Sequence, residues 1–317
     1  MKKLIIHIGP HKTGTTSIQR MLLSNLHTPA QAGYAYPDLG LVHFGHHGLV
    51  AALDGSDADW NRGTLTASLN AVESNLVLSS ENFSRLSAGG IEFLAEHLKA
   101  DAVRIVCYLR SPVALLPKWW AELVNHRSTS TLPEYLFDCF ASPSNHHLMS
   151  IDAMLQPWAR CFGRDSIDIY SYDGIEDVTQ HFVNKVLNVP ELQHGERIHQ
   201  SLSVEATELI RRMNSMGLNG VEIVSQYDEL KVVLQSMSSR DHLASVRLDM
   251  DMPLLAAMEQ QIVNGWSDRL DVAPVDGKVF PIRSAEAPYV KADFWAENPD
   301  FSSALTKLLA PLLSKRS

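Results

Sequence analysis

Gly9-Pro10-His11-Lys12-Thr13-Gly14-Thr15-Thr16 is the stretch of this chain whose residue types and spacing can do chemistry. The apolar run Leu4–Ile8 precedes it, and Ile18, Met21, Leu22 and Leu26 follow at helical spacing, so it reads as a loop between a strand and a helix. Such a loop wraps an anion, because its backbone N–H groups point inward and the helix N-terminus adds partial positive charge. Gly14 lets the backbone approach a ligand closely, Lys12 supplies a point charge, and Thr15 and Thr16 supply hydroxyl donors. Of the Walker A pattern G-x-x-x-x-G-K-[ST], the chain matches Gly9, Gly14 and Thr16. Thr15 stands in the lysine place, and the lysine lies inside the loop at Lys12. The spacing describes a phosphate-type loop that differs from those of kinases and ATPases. No convincing acidic strand end for Mg²⁺ accompanies it, the nearest candidate being Glu81 after two serines. A Gly/Thr-rich turn without a ligand is the bland alternative, and the strand–loop–helix context counts against it.

The run His7-Ile8-Gly9-Pro10-His11-Lys12-Thr13-Gly14-Thr15-Thr16-Ser17-Ile18-Gln19 closely resembles the 5′-phosphosulfate-binding loop of PAPS-dependent sulfotransferases, particularly the bacterial branch. Leu78-Ser79-Ser80-Glu81, Val106-Cys107-Tyr108-Leu109-Arg110 and Arg197-Ile198-His199-Gln200-Ser201-Leu202-Ser203 extend the resemblance over about two-thirds of the chain. The first motif is highly specific and the others support it. The resemblance implies transfer of a sulfuryl group from 3′-phosphoadenosine 5′-phosphosulfate to a hydroxyl or amine. It implies that His11, Lys12, Thr13, Gly14, Thr15 and Thr16 cradle the 5′-phosphosulfate and that Arg110 binds the 3′-phosphate. Eight residues beyond Arg110 the family usually carries a serine on that phosphate; here the place holds Lys118. A lysine can take over as a phosphate ligand, or the cofactor pocket is altered, and solvent exposure of Lys118 is an equal alternative. The implied acceptor is a small molecule or a glycan, sugar hydroxyls being common acceptors among bacterial relatives.

Sulfuryl transfer is an in-line displacement through a loose transition state, similar in kind to phosphoryl transfer. It needs a cation near the bridging oxygen, donors around the sulfuryl oxygens and a base for the acceptor proton, whereas a metal is not essential. Lys12 and the threonines meet the first two needs. For the base, Glu81 follows a predicted strand on the sheet edge where α/β proteins place ligands. The cluster His43-Phe44-Gly45-His46-His47 offers imidazoles instead, with His46 and His47 as candidates. The same histidines can simply start a helix, and no Cys or carboxylate follows at a spacing suited to a metal. His7 inside a strand reads as a satisfied core histidine, and His146, His147, His194 and His199 carry no comparable context. Trp119, Trp120 and Trp158 read as core aromatics.

Several elements must position these residues. Buried strands are expected at Leu4–Ile8, Leu76–Leu78, Val103–Leu109 and Ser166–Tyr172, with helices from Thr15, from Pro112 and over Ile151–Phe162. Strands alternating with helices predict an α/β fold, a P-loop-like parallel sheet flanked by helices. After about residue 200 the pattern turns helical, with a helix capped by Ser203 and others near Glu222–Met237, Pro253–Val263 and Ser302–Leu313. Only Lys278–Ile282 reads there as a possible strand. The expectation is a single domain over residues 1–317, with a core of about 1–200 and a helical C-terminal extension over 201–317.

The bulk properties agree. With 317 residues, 45% hydrophobic and 20% charged, the chain is globular in composition and supplies a sizeable core. A formal charge of −9, from 27 Lys+Arg against 36 Asp+Glu, argues against a nucleic-acid partner. Three scattered cysteines form neither a disulfide framework nor a metal-ligand pair. No apolar run approaches the ~18 residues of a membrane span. A cytoplasmic enzyme is the expectation, with an ATP- and Mg²⁺-dependent phosphotransferase or a non-catalytic nucleotide-binding module on the same fold as alternatives.

Overall fold

The computed structural model describes residues 1–26, 33–55, 61–190, 192, 202–226, 241–271 and 275–291, with isolated positions beyond. In chain order its elements are β1 (Lys3–His7), α1 (Thr15–Leu26), β2 (Tyr34–Ala35), α2 (His47–Asp54), α3 (Arg62–Ala71), β3 (Asn75–Ser79), α4 (Ala88–His97), β4 (Ala102–Leu109), α5 (Pro112–Asn125) and α6 (Leu132–Ala141). There follow α7 (Ile151–Phe162), β5 (Ile167–Ser171), α8 (Val178–His181), α9 (Val204–Ser215), α10 (Gly220–Gln226), β6 (Leu243–Asp249), α11 (Pro253–Trp266) and β7 (Ser284–Val290).

Two compact units divide the chain: residues 1–115, 142–198 and 250–283 in the first, and 116–141, 199–249 and 284–317 in the second. The first is a mixed α/β unit around a five-stranded parallel sheet in the order β2-β3-β1-β4-β5. Leu4, Ile5 and Ile6 pair with Leu76, Val77 and Leu78 on one side of β1 and with Val103, Arg104 and Ile105 on the other. A strand covered on both faces reads as an unbroken apolar run, which is why β1, β3 and β4 were legible as strands. Ile5, Val77, Val106 and Tyr108 pack beneath Ile18 and Leu22 of α1 and beneath Phe182 and Val186 after α8. From β1 the chain winds to the β3 side and later crosses to β4, so the carboxyl end of β1 is where strand order reverses. Open α/β sheets take ligands at that point.

In the second unit, Ser203 caps α9 by accepting from Ala206 N at 3.1 Å, as the sequence predicts. Asn214 of α9 donates to the carbonyl oxygens of Val124 and Ser128, at 2.7 and 3.2 Å. The region after residue 200 also holds something the sequence reading did not anticipate: an antiparallel ribbon of β6 and β7, registered Leu243↔Val290 to Asp249↔Ser284. The anticipated strand at Lys278–Ile282 does not form, and β7 begins just beyond it. Residues 227–237 and most of 302–313, where helices are anticipated, lie outside the described residues, as do Arg197–Ser201 and His194.

Candidate active site

The carboxyl ends of β1, β3, β4 and β5 each release a loop at the same sheet edge, carrying Gly9–Gly14, Ser80–Glu81, Arg110–Ser111 and Tyr172–Asp173 respectively. The first loop opens α1, whose first residue, Thr15, is buried, and Ser17 N and Ile18 N donate back to Gly14 O at 3.1 Å each. Thr13 is fully buried and its hydroxyl donates to Pro10 O at 2.6 Å, a bond that closes the loop on itself. Thr13 thus shapes the loop from within.

Three backbone conformations in this loop are left-handed: Gly9 at φ 85°, Lys12 at φ 65° and Gly14 at φ 76°. Gly9 and Gly14 are required on steric grounds as well. A Cβ on Gly9 would lie 2.9 Å from Glu81 Cα, and one on Gly14 would lie 2.7 Å from Val178 Cγ1. The loop therefore touches the Glu81 backbone directly at Gly9. Lys12 has no such licence, since a left-handed lysine costs roughly 1 kcal/mol relative to glycine. Its carbonyl is held in place by Arg110, whose Nη1 donates to Lys12 O at 3.0 Å.

Arg110 is itself fixed from behind. Its Nε lies 3.1 Å from Asp173 Oδ1, with side chains 12% and 2% exposed, and its guanidinium lies 5.0 Å over the Tyr172 ring. Asp173 Oδ2 accepts from Ser111 N at 2.6 Å, which fixes the turn after β4. The arginine that the resemblance assigns to a phosphate is thus also a strut between two loops. Lys118 lies exposed on α5, in the second unit.

The candidate bases separate clearly. His46 is buried, accepts from Ser79 N at its Nδ1 (3.2 Å) and meets Pro37 O at its Nε2 (2.9 Å). The backbone N–H makes Nδ1 the acceptor, so Nε2 carries the hydrogen and donates. Burial lowers this imidazole to about 4. As a correction to the sequence expectation, His46 is a structural residue at the start of α2, with no nitrogen left for a substrate proton. His47 differs. Its Nδ1 lies 2.7 Å from Ser80 Oγ and 3.4 Å from the donor Asn82 Nδ2, which casts Nδ1 as acceptor and leaves the hydrogen on Nε2. That Nε2 faces Glu81 Oε2 at 4.0 Å.

Glu81 starts the short 3₁₀ turn Glu81–Arg85, but Ser80 is the cap, accepting from Asn82 N at 3.2 Å. The carboxylate is consequently not spent on capping. Its Oε2 accepts from Gln19 Nε2 at 2.8 Å, and Oε1 makes no hydrogen bond among the described residues. The side chain is 17% exposed, so the carboxylate beside the loop is not sealed from solvent.

Sequence reasoning missed three participants. Gln19 and Asp173 reach their partners across sixty-two residues of chain, a separation no local pattern reports. The third is His147, a half-buried imidazole lowered to about 4 chiefly by burial, with the neighbouring Arg85, His11 and His146 acting in the same direction. His11 of the loop therefore belongs to a group of basic side chains. His7 is buried in the core as expected, but it is only half satisfied: its Nδ1 lies 2.8 Å from Ser79 Oγ, and its buried Nε2 has no hydrogen-bond partner among the described residues; Trp119, Trp120 and Trp158 are buried.

Fold and site together define an α/β protein in which the strand–loop–helix turn after β1 lies against Glu81 after β3. No family model and no curated protein matches the chain. Among solved structures it is similar to a sulfotransferase from Alicyclobacillus acidocaldarius, at 12% identity over 72% of this chain and 97% of that one, with a TM-score of 0.42. No helix among the described residues is long and apolar enough to cross a membrane.

Proposed function

We propose that the protein is a sulfotransferase that moves a sulfuryl group from 3′-phosphoadenosine 5′-phosphosulfate to an acceptor hydroxyl. The observation that carries the reading is the loop itself: Lys12 held left-handed by Arg110, two glycines that admit no side chain, and Glu81 packed against Gly9. A cradle of backbone donors opening a helix suits an anionic donor group. Thr15 in the Walker lysine place, buried at the first turn of α1, disfavours an ATP-dependent phosphotransferase.

Each residue then has a definite task. Lys12 places positive charge where the bridging oxygen becomes negative as its bond to sulfur breaks, and Thr15 and Thr16 offer donors to the sulfuryl oxygens. Glu81 accepts the acceptor hydroxyl's proton through Oε1 while the acceptor oxygen bonds to sulfur, and the adenosine 3′,5′-bisphosphate leaves. Arg110 keeps the cradle in shape and turns its remaining guanidinium hydrogens toward an anion. The acceptor class we favour is a sugar hydroxyl, following the sequence resemblance.

Calorimetry and an acceptor screen test this reading. Binding of adenosine 3′,5′-bisphosphate without Mg²⁺, and a gain of about 80 Da on an acceptor incubated with PAPS, the net addition of one SO₃ as the hydroxyl becomes a sulfate ester, are the expected results. Mg²⁺-dependent binding of ATP with no response to the bisphosphate would overturn it.

A further inference from the structure

Resting on the reading of Glu81 as the base, we propose that Gln19 is its positioning residue, locking one carboxylate oxygen so that the other is presented to the acceptor. Gln19 lies one turn into α1 and is 2% exposed, an unusual place for an amide unless it has work there. Its Nε2 donates to Glu81 Oε2 at 2.8 Å, and this is the carboxylate's only hydrogen bond among the described residues. His47 Nε2 also lies beside Oε2, at 4.0 Å. Gly45 seals the corner: a Cβ there would lie 2.8 Å from both Gln19 Nε2 and His47 Nε2. Oε2 thus has an amide donor and an imidazole beside it, both backed by Gly45, whereas Oε1 has no hydrogen bond among the described residues.

This arrangement links donor site and base through one rigid helix. Gln19 rides on the same α1 that begins at Thr15 of the cradle, so the distance between cradle and carboxylate is set by helix geometry rather than by a loop. The amide is neutral at every pH and cannot take the proton itself, so it orients the carboxylate without competing with it. The titratable groups around Glu81 are His47 beside it and the buried His7 and Tyr36. His7 is lowered to about 4 and Tyr36 is raised by burial, so both are neutral near pH 7.

The test uses the full chain with Gln19→Met, which keeps the volume and removes the donor. Turnover should fall about tenfold or more, the scale of one hydrogen bond to a charged group, with bisphosphate affinity unchanged. The acid limb of the kcat–pH profile should move to higher pH, because a carboxylate that loses a donor holds its proton more tightly. Gln19→Glu should move it further. A readout free of activity is the ¹³C carboxyl titration of Glu81, which should move the same way in Gln19→Met and in Gly45→Ala. An unchanged Glu81 titration in both variants would overturn the proposal, whatever the turnover. A moved titration in a protein that transfers no sulfuryl group from PAPS would support the hold on Glu81 and overturn the sulfotransferase reading instead.

Discussion

Arg110 and Lys12 are joined by a hydrogen bond from guanidinium to main chain, Nη1 to carbonyl oxygen at 3.0 Å, at the point where the lysine backbone turns left-handed. The bond means that the strand-end arginine acts on the loop's shape as well as on its charge. Behind it stands Asp173, nearly inaccessible at 2% exposure, so loop geometry depends on a carboxylate buried behind the arginine.

Asp173→Ala should therefore weaken adenosine 3′,5′-bisphosphate binding even though the charge at the site becomes more positive. A simple electrostatic account predicts the reverse. Stability should fall by about 3 kcal/mol, the low end for breaking a buried pair, because Arg110 keeps the Tyr172 ring and partial access to water. Urea unfolding and calorimetry on one preparation measure both quantities, and tighter binding by the variant would reject the strut.

At Lys12 itself, chemistry and backbone can be separated. Lys12→Ala should lower turnover by ~10²-fold or more, the scale of losing one preorganised electrostatic partner. Lys12→Gly should be equally inactive yet more stable than Lys12→Ala by up to about 1 kcal/mol, because glycine adopts φ 65° without strain. Equal melting temperatures for the two would mean that the loop relaxes around the substitution.

The three candidate bases predict different losses. Glu81→Gln keeps the shape and removes the basicity, so turnover should fall ~10²-fold or more with bisphosphate affinity intact. His46→Ala should act on stability, by about 2–4 kcal/mol, through the lost bonds to Ser79 N and Pro37 O and the lost packing of its ring on Tyr36 at 4.6 Å. His47→Ala should reduce turnover only modestly, since its imidazole borders Oε2 rather than Oε1. A dead His47→Ala beside an active Glu81→Gln would transfer the base to the imidazole.

The loop, β1, α1 and the Ser203 cap were legible because each is written in adjacent residues: an apolar run, a helical period, a hydroxyl before a helix. β2 is only two residues, Tyr34–Ala35, too short to carry a period. β6 and β7 were missed for another reason. Leu243-Ala-Ser-Val-Arg-Leu-Asp249 is mostly half-buried, with Leu248 alone fully buried, and pairs with the distant segment Ser284–Val290, so its strand character comes from the partner and not from its own sequence. The same holds at the site. The residue types of Glu81, His46 and His47 were visible, but what distinguishes them is Gln19, Ser79, Pro37 and Ser80, which the fold alone brings within reach.

Buried histidines fix the pH range of stability. His7 and His46 are both fully buried, and burial lowers each from the ordinary 6.5 to about 4. In the folded protein they stay neutral at pH values where an unfolded chain would protonate them. The unfolded state thus binds more protons, and stability falls as pH drops from 6.5 toward 4. The stabilisation is fully present above pH 6.5, and each histidine contributes a slope of up to about 1.4 kcal/mol per pH unit within that window. Glu205, whose carboxyl is lowered by backbone and side-chain donors, including His242, despite burial, adds its loss only below the ordinary 4.5 for a glutamate, so the upper part of the window belongs to the imidazoles. Urea unfolding at pH 7.5, 6.5, 5.5 and 4.5 (settings chosen about one unit apart to resolve the slope) should show a plateau and then a fall of more than one proton's slope. A free energy that stays level from pH 6.5 to 4.5 would mean that these histidines are charged or hydrated in the folded state.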